Sequence, residues 1–540
     1  MLNRILFLCV ACLGATLPSV AQTTFGRISG TITDPSGAAV AGAAVTIRNT
    51  DTQATRGEKT DDRGFYVAEN LPIGPYAVEV DHPGFKRSAV TGLQVVADGR
   101  VTANIALEIG QITQNVEVVA ASAEALNTVS GEVAHVVDQE QVDNLALNGR
   151  AYTELLTLVP GAIVTNPDQF GTLTSLSATN QSINGHRGNQ NNLTVDGVGN
   201  LDNGSNGSLI NNVSPDFLQE VKIQTSNFSS QYGRSAGASF NIMTKNGTNN
   251  LHGGLFEYLR NDALDARNFF SPTRANLRYN DWGYSLGGPI KKNKIFFFVG
   301  QEWRKIRQQT AGTRVTLPTL LELQGNFSEM LALSKPTIIY QPGTKTPFVN
   351  NIIPASRITP DGQAILNVYK TVIPMAAVYN GTSPTSNNAT FQNPNPLDYR
   401  EDLVRLDYRI NDRHSLVLRF VEDFNSIFLA NGPGGSLPIT PEIRDRPGKS
   451  GLISETWIIS PTIVNEARLG ASWNSQHYWN QGDTWKRSYQ GFTFQRVYNS
   501  VGAYVDGIPD VSFSTGTNPT GWTGPYHTLP SHCRPRTPAL

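Results

Sequence analysis

Beyond Leu251 the chain runs in long stretches of alternating apolar and polar residues joined by short turns, and this constrains the fold more than any other feature. Leu255 to Arg260 is the first such stretch. Trp282 to Gly288 and Ile295 to Arg304 flank a turn at Pro289 to Lys294. Leu403 to Ile410 and Ser415 to Glu422 flank Asn411-Asp412-Arg413-His414, and Leu452 to Ile459 and Ile463 to Trp473 flank Ser460-Pro461-Thr462. A period of two sends successive side chains to opposite faces of a sheet. Strands of about 9–11 residues cross a bilayer when tilted. Tight turns at one end and long polar excursions at the other, such as Thr310 to Leu397, predict an antiparallel transmembrane β-barrel whose excursions face outside the cell. Trp282, Trp303, Trp457, Trp473 and Tyr408 are placed to form its interfacial girdles. A soluble β-sandwich with aromatic core residues is the competing reading, because alternation serves both.

A barrel of this kind has to be exported, and residues 1–21 read as a secretory signal. Arg4 is the basic start, Ile5 to Leu17 is a nearly uninterrupted apolar run, and Ser19-Val20-Ala21 is a small-x-small cleavage site that leaves Gln22 as the mature N-terminus. The run is shorter than the ~20 residues a spanning helix needs, and no later stretch approaches the roughly 18 apolar residues of a helical span. Cys9 and Cys12 fall inside this segment, so their C-x-x-C spacing carries no redox meaning. Cys533 is the one cysteine left, and an internal disulfide is excluded.

The 540 residues carry 43 basic and 44 acidic side chains, a net charge of −1, which argues against a nucleic-acid partner. Charged residues are only 16% of the chain, where soluble domains average about 25%. The eight histidines form neither H-E-x-x-H nor an i, i+4 pair, so no metal site or cofactor is expected.

Residues 25–120 hold short strands at regular spacing, which predict a seven-stranded β-sandwich. They are Arg27 to Thr33, Ala44 to Arg48, Gly64 to Ala68, Tyr76 to Val80 and Val101 to Leu107, with turns at Asp34-Pro35-Ser36-Gly37 and Asp61-Asp62-Arg63-Gly64. The order "GTITDPSGAAVAGAAV", "TDDRGFY", "LPIGPY" and "GFK" resembles the carboxypeptidase-regulatory-like domain. That resemblance implies a binding or spacer module without peptidase activity, and His82 is a solvated turn residue.

Residues 121–248 mix helices and strands. Asp138 to Leu145 reads as one or two helical turns, and Tyr152, Leu155, Leu156 and Val159 space as an amphipathic helix stopped by Pro160-Gly161. Ser214-Pro215-Asp216 opens a second short helix. "INGHRGNQNNLTVDGV" from Ile183 and "QYGRSAGASFNIMTKNGTN" from Gln231 resemble the plug domain of TonB-dependent outer-membrane receptors. Within these, Asn184, Gly185, Arg187, Gly188, Asp196, Gly197, Tyr232, Gly233 and Gly237 carry the plug motif. The continuation "HGGLFEYLRNDALDARNFF" resembles the Oar-like subgroup, which has the same N-terminal sandwich. The resemblance places Val116, Glu117, Val118, Val119 and Ala120 where a TonB box lies. The last strand of the sandwich is the equal alternative for them. Gly233-Arg234-Ser235-Ala236-Gly237 also fits G-x-S-x-G, but a polar loop precedes it and an alternating strand from Ala238 to Thr244 follows, so Ser235 is no nucleophile and no catalytic residue is assigned.

The sequence reading is therefore mainly β: an N-terminal β-sandwich, an α+β plug domain, then an incomplete antiparallel transmembrane β-barrel over residues 249–540. Only seven or eight barrel strands are legible, while a 125-residue plug has a radius of about 14 Å and plugged barrels use about 22 strands. The tail, with Pro530, Pro535 and Pro538 and no alternation, reads as truncated mid-barrel, its last ~20 residues out of frame. The resemblance implies an outer-membrane location, a TonB-type energy-coupling partner in the periplasm, and uptake of an extracellular ligand, with carbohydrate favoured by the sandwich. A surface adhesin or a carbohydrate- or protein-binding scaffold without transport is the alternative.

Overall fold

The computed structural model describes the chain from Phe25 to Pro509, and Thr523, apart from residues 111–114, 120–130, 146, 148–149, 165–180, 203–207, 230–231, 234, 268, 270–273, 311, 383, 385, 433–434, 461–462 and 495–505. The expected signal, Ala120 and the proline-rich tail with Cys533 lie outside the described residues.

The first unit contains β1 (Gly26–Thr33), β2 (Ala44–Asn49), β3 (Thr55–Lys59), β4 (Phe65–Leu71), β5 (Gly74–Asp81), β6 (Arg87–Val95), β7 (Arg100–Thr102), β8 (Ile105–Ala106) and β9 (Asn115–Val119). One sheet runs β4-β1-β7 with β8 also on β1, and the other runs β3-β2-β5-β6-β9. Ile28, Ile32, Val45, Ile47, Tyr66, Val78 and Val95 meet between them as a closed apolar core. Both expected turns are tied by an aspartate: Asp34 accepts the Ser36 and Ala38 amides at 2.8 and 2.9 Å, and Asp61 the Arg63 and Phe65 amides at 2.9 and 2.8 Å. Nine strands form among the described residues where seven were expected. The run from Val101 to Leu107 breaks in two because the Ala103 carbonyl takes the Tyr66 hydroxyl at 2.8 Å and the Asn104 side chain takes the Thr31 amide at 2.9 Å. Asn115–Val119 adds a parallel edge strand.

The second unit contains β10 (Val133–Val137), α1 (Gln139–Asn144), β11 (Ala162–Val164), β12 (Gln181–Ile183), β13 (Asn192–Val195), β14 (Val198–Gly199), β15 (Leu218–Ser226) and β16 (Ser239–Thr244). Its main sheet has the order β10-β15-β16-β13-β14, with β13 and β16 parallel. Asp138 caps α1 through the Gln141 amide at 2.9 Å. The amphipathic helix forms as a 3₁₀ helix, Tyr152–Leu158, with Tyr152, Leu155 and Leu156 buried. Val159 is already extended, as the residue before a proline must be. The helix expected at Ser214 shrinks to the single turn Pro215–Phe217. β16 does not alternate as expected: all six of its residues are buried, Phe240 and Ile242 in the core that continues into the wall, while the opposite face, shared with Glu220 and Lys222 of β15, lies on the side of the sandwich loop.

The remainder forms an antiparallel wall of β17 (His252–Asn261), β18 (Leu277–Lys291) and β19 (Ile295–Gln308), followed after an excursion by further wall strands. The excursion holds β20 (Thr313–Val315), α2 (Pro360–Val372), β21 (Val378–Tyr379) and β22 (Ala389–Phe391), and the wall resumes with β23 (Leu397–Arg409), β24 (His414–Leu429), β25 (Glu442–Ser460), β26 (Ile463–Asn474) and β27 (His477–Asn480). Wall order follows chain order, β17-β18-β19-β23-β24-β25-β26 with β27 on β25, and the sheet is not closed among the described residues. The strands overrun their sequence estimates because the ladder continues past the apolar stretch into polar residues, as at Asn280↔Lys305. Leu286, Phe297, Val404, Phe420, Ile453 and Leu469 share the outward face, and all five girdle aromatics lie on it. Trp303 and the Tyr408 partner Ile295 stand eight residues apart on β19, on the order of 26 Å along the strand. That matches an apolar band about 25 Å tall.

The excursion is more than a loop. α2, β20 and β22 close a separate core of Val315, Leu366, Val368, Tyr369 and Phe391, joined by Leu437, Ile439 and Phe492 from later segments. This compact head sits at the long-connection end of the wall.

Candidate functional site

The plug rests on the inner face of the wall, where its core runs without a break into Phe298, Leu403 and Val421. Three wall glycines receive it. Phe217 lies edge-on to Phe298, centroids 6.3 Å apart, and its ring occupies the space a side chain at Gly300 would take. The Ile210 carbonyl fills the same space at Gly448, and Val198 fills it at Gly470.

Polar joints surround these sockets. Asp196, at the tip of the β13–β14 turn, accepts the Thr244 amide and hydroxyl at 3.0 and 2.9 Å. Its two oxygens face the wall guanidinium groups of Arg405 at 3.6 Å and Arg419 at 3.2 Å. Arg419 reaches further, donating to the Val195 carbonyl of the plug at 2.8 Å. On the neighbouring strands the register sets Glu302, Glu401 and Asp423 directly opposite one another, and all three are buried. Such a row of like charges is unfavourable by itself. The plug offsets it: the Ser214 amide donates to Glu401 at 2.9 Å, the Asn212 amide to Asp423 at 2.9 Å, and the Asn211 side chain to Asp423 at 3.1 Å. Arg304 pairs with Glu302 at the other end of the row.

A third joint is Arg150. Its backbone is left-handed, φ 54°, and its guanidinium stacks 3.9 Å from the Tyr258 ring of β17. It pairs with Asp281 of β18 at 3.3 Å and with Asp216 of the plug. The joints are polar, so their groups can take up water once the plug leaves, while losing a single partner inside the closed seat is costly. The arrangement therefore holds a plug firmly while leaving it separable from its wall.

Comparison with known proteins agrees with this architecture. A model of the TonB-dependent receptor plug domain matches residues 125–239, and a carboxypeptidase regulatory-like domain matches residues 27–108. An outer membrane beta barrel domain matches residues 243–535, more than half of the chain. The chain belongs to the outer-membrane β-barrel family of TonB-dependent receptors. It is 29% identical over 310 residues to the TonB-dependent transporter Oar of Myxococcus xanthus, a match covering 54% of this chain and 28% of that protein. This receptor chain thus spans under a third of the length of that curated relative. Among solved structures it is similar to the outer membrane transporter YddB of Escherichia coli, with a TM-score of 0.37, 12% identity, and coverage of 63% of this chain and 38% of that one. The siderophore receptor PirA of Acinetobacter baumannii gives 0.32 and 12%, covering 64% and 44%. The receptor is a protein of the outer membrane.

Of the plug-motif residues, Asp196 meets the wall, with Gly197 (φ 77°) completing its turn. Asn184 and Gly185 form the left-handed turn after β12, and the Asn184 side chain donates to the Thr225 carbonyl at 3.2 Å. Arg187 and Gly188 enter a short turn at the plug surface, with Arg187 exposed. Tyr232 is buried and turns toward the sandwich, donating to Asp98 at 3.3 Å. Gly233 and Gly237 lie in the approach to β16, where a side chain at Gly237 would collide with Asn191. Ser235 donates to the Ala238 carbonyl at 2.8 Å and closes that approach. Val116 to Val119 are placed as the edge strand β9 of the sandwich, the backbone arrangement of the last-strand alternative.

Sequence reading missed the wall side of the site altogether. Glu401, Leu403, Arg405, Asp407 and Arg409 share one face of β23, and charged residues interleaved with the outward Val404, Leu406 and Tyr408 were the available signal. No group of three or more metal-ligating side chains occurs among the described residues.

Proposed function

We propose that this receptor binds a ligand at the cell surface and admits it across the outer membrane when a periplasmic TonB-type protein, drawing on residues 116–120, displaces the plug. The observation that carries the reading is the seat itself: a plug held on the wall by Asp196, Glu401, Asp423 and Arg150 through joints that water can replace. The partner adds to the exposed edge of an extended segment by main-chain pairing, a mode that needs little side-chain specificity. The ligand class favoured by the sandwich is an oligosaccharide.

The test uses cells producing the full chain or the chain lacking residues 116–120. Both are offered fluorescent oligosaccharides, short peptides and metal chelates. Saturable, energy-dependent uptake of one class by the full chain, lost on deletion, is the expected result. The folded head favours one other reading, a surface adhesin. Surface binding that is identical in both strains, with no uptake in either, would establish that reading and refute transport.

A further inference from the structure

Strand β9 lies parallel on β6, in register from Arg87↔Asn115 to Thr91↔Val119. β6 ends at Val95, and the loop that follows it, Val96 to Gly99, is where the sandwich grips the plug. Ala97 is fully buried, and its amide donates to Glu220 Oε1 at 2.6 Å. Asp98 holds a left-handed backbone, φ 49°, that turns its carboxylate toward Lys222 Nζ at 3.4 Å and the Tyr232 hydroxyl at 3.3 Å. Lys222 is 2% exposed and reaches Glu132 Oε1 at 2.9 Å as well. Glu220 and Lys222 both belong to β15, an interior strand of the plug sheet between β10 and β16. Undocking the loop would strip partners from two buried polar groups, the Glu220 carboxyl and the Lys222 ammonium, so the contact resists separation.

We propose that the sandwich is a force-bearing clamp on the plug: tension at β9 passes through the β6 ladder into the 96–99 loop and reaches β15 through Ala97–Glu220 and Asp98–Lys222. The proposal rests on the reading of residues 116–120 as the coupling segment. The covalent route to the plug is different, because residues 120–132 lead into β10, an edge strand that pairs only with β15 among the described residues. Tension along that route peels an edge. Tension through the clamp acts on the middle of the sheet, beside the strand that carries Thr244 and the Asp196 joint.

Force spectroscopy on the full chain in outer-membrane vesicles tests this. A probe tip is coupled to a single thiol at Glu117→Cys in a Cys533→Ser background. Asp98→Gly/Glu220→Ala removes the clamp while suiting the left-handed backbone at residue 98, and Asp98→Gly alone is the milder control. The clamp predicts an initial high-force rupture ahead of plug extension, lost in the double variant and lowered in the single one, with plug extension retained in all three. First ruptures of equal force in all three chains would overturn the clamp and leave the coupling reading standing. Traces showing sandwich unfolding without any plug extension would overturn that reading, and the clamp with it.

Discussion

Asp196 shows how much one side chain of the plug is asked to do. It ties its own sheet at Thr244 and faces two wall arginines, of which Arg419 has a fully buried side chain. Removing one charge from a buried set strands the other, at a cost of about 3–5 kcal/mol. Asp196→Asn, which tolerates the same left-handed backbone, is therefore expected to lower plug stability by roughly that amount, read from protease accessibility across a denaturant series. Arg187→Ala, at an exposed position of the same motif, should stay within about 0.5 kcal/mol. Equal effects from the two would remove Asp196 from the seat. The glycine sockets give a second residue-scale expectation. Gly300→Val drives a side chain into the Phe217 ring, and overpacking of this kind costs about 1–3 kcal/mol. Phe217→Leu should recover part of the loss, because the two positions share one space; strict additivity would show that they do not touch.

Among elements, β15 links the sandwich to the plug and carries the titration with most consequence. Burial pushes the Glu220 carboxyl up to about 7, with the Ala97 amide and Lys222 drawing it back and Asp138 adding to the rise. Unfolded, the group titrates near 4.5, so between about 4.5 and 7 the folded chain keeps a proton that the unfolded chain has lost. Its contribution is complete below about 4.5 and disappears as pH rises through about 7. Stability of the folded chain should fall across that window by on the order of 3 kcal/mol at most. Glu220→Gln should flatten the profile in thermal unfolding scans, and an unchanged slope would place the titration elsewhere. The head offers the opposite case, an element energetically apart from the seat. Tyr369, buried in its core and bonded to the Thr523 carbonyl at 2.9 Å, can be cut to Ala at a cost of about 3–5 kcal/mol to the head. Plug protection from protease should not change.

Element existence was legible in the sequence wherever a local signal decided it. The Asp138 cap, the two aspartate turns of the sandwich and the wall hairpins all depend on residues within a few positions of one another. What failed was decided from a distance. β16 lost its alternation because segments remote in sequence cover both of its faces, and the Thr310–Leu397 excursion gained a core from Leu437 and Phe492, which no local pattern announces.

At the scale of the whole molecule, a sandwich, a plug and a wall are stacked so that the plug touches both others. The plug resemblance was readable from Gly-rich turns, because turn chemistry is local and strict. The site between the units was not readable, since periodicity assigns each residue to a face without saying what covers that face. Asp196 and Arg419 stand 223 positions apart, and β9 holds a backbone role that its short apolar run shares with a coupling segment. The central claim is that the plug is seated on the inner face of the membrane wall, and one tether reads it directly. A side chain at Gly470 would place its Cβ 3.4 Å from the Val198 Cβ, close to disulfide spacing. Val198→Cys/Gly470→Cys, in a Cys533→Ser background, should form a reducible cross-link spontaneously in isolated outer membranes. A chain that inserts into those membranes and never forms it would contradict the seat.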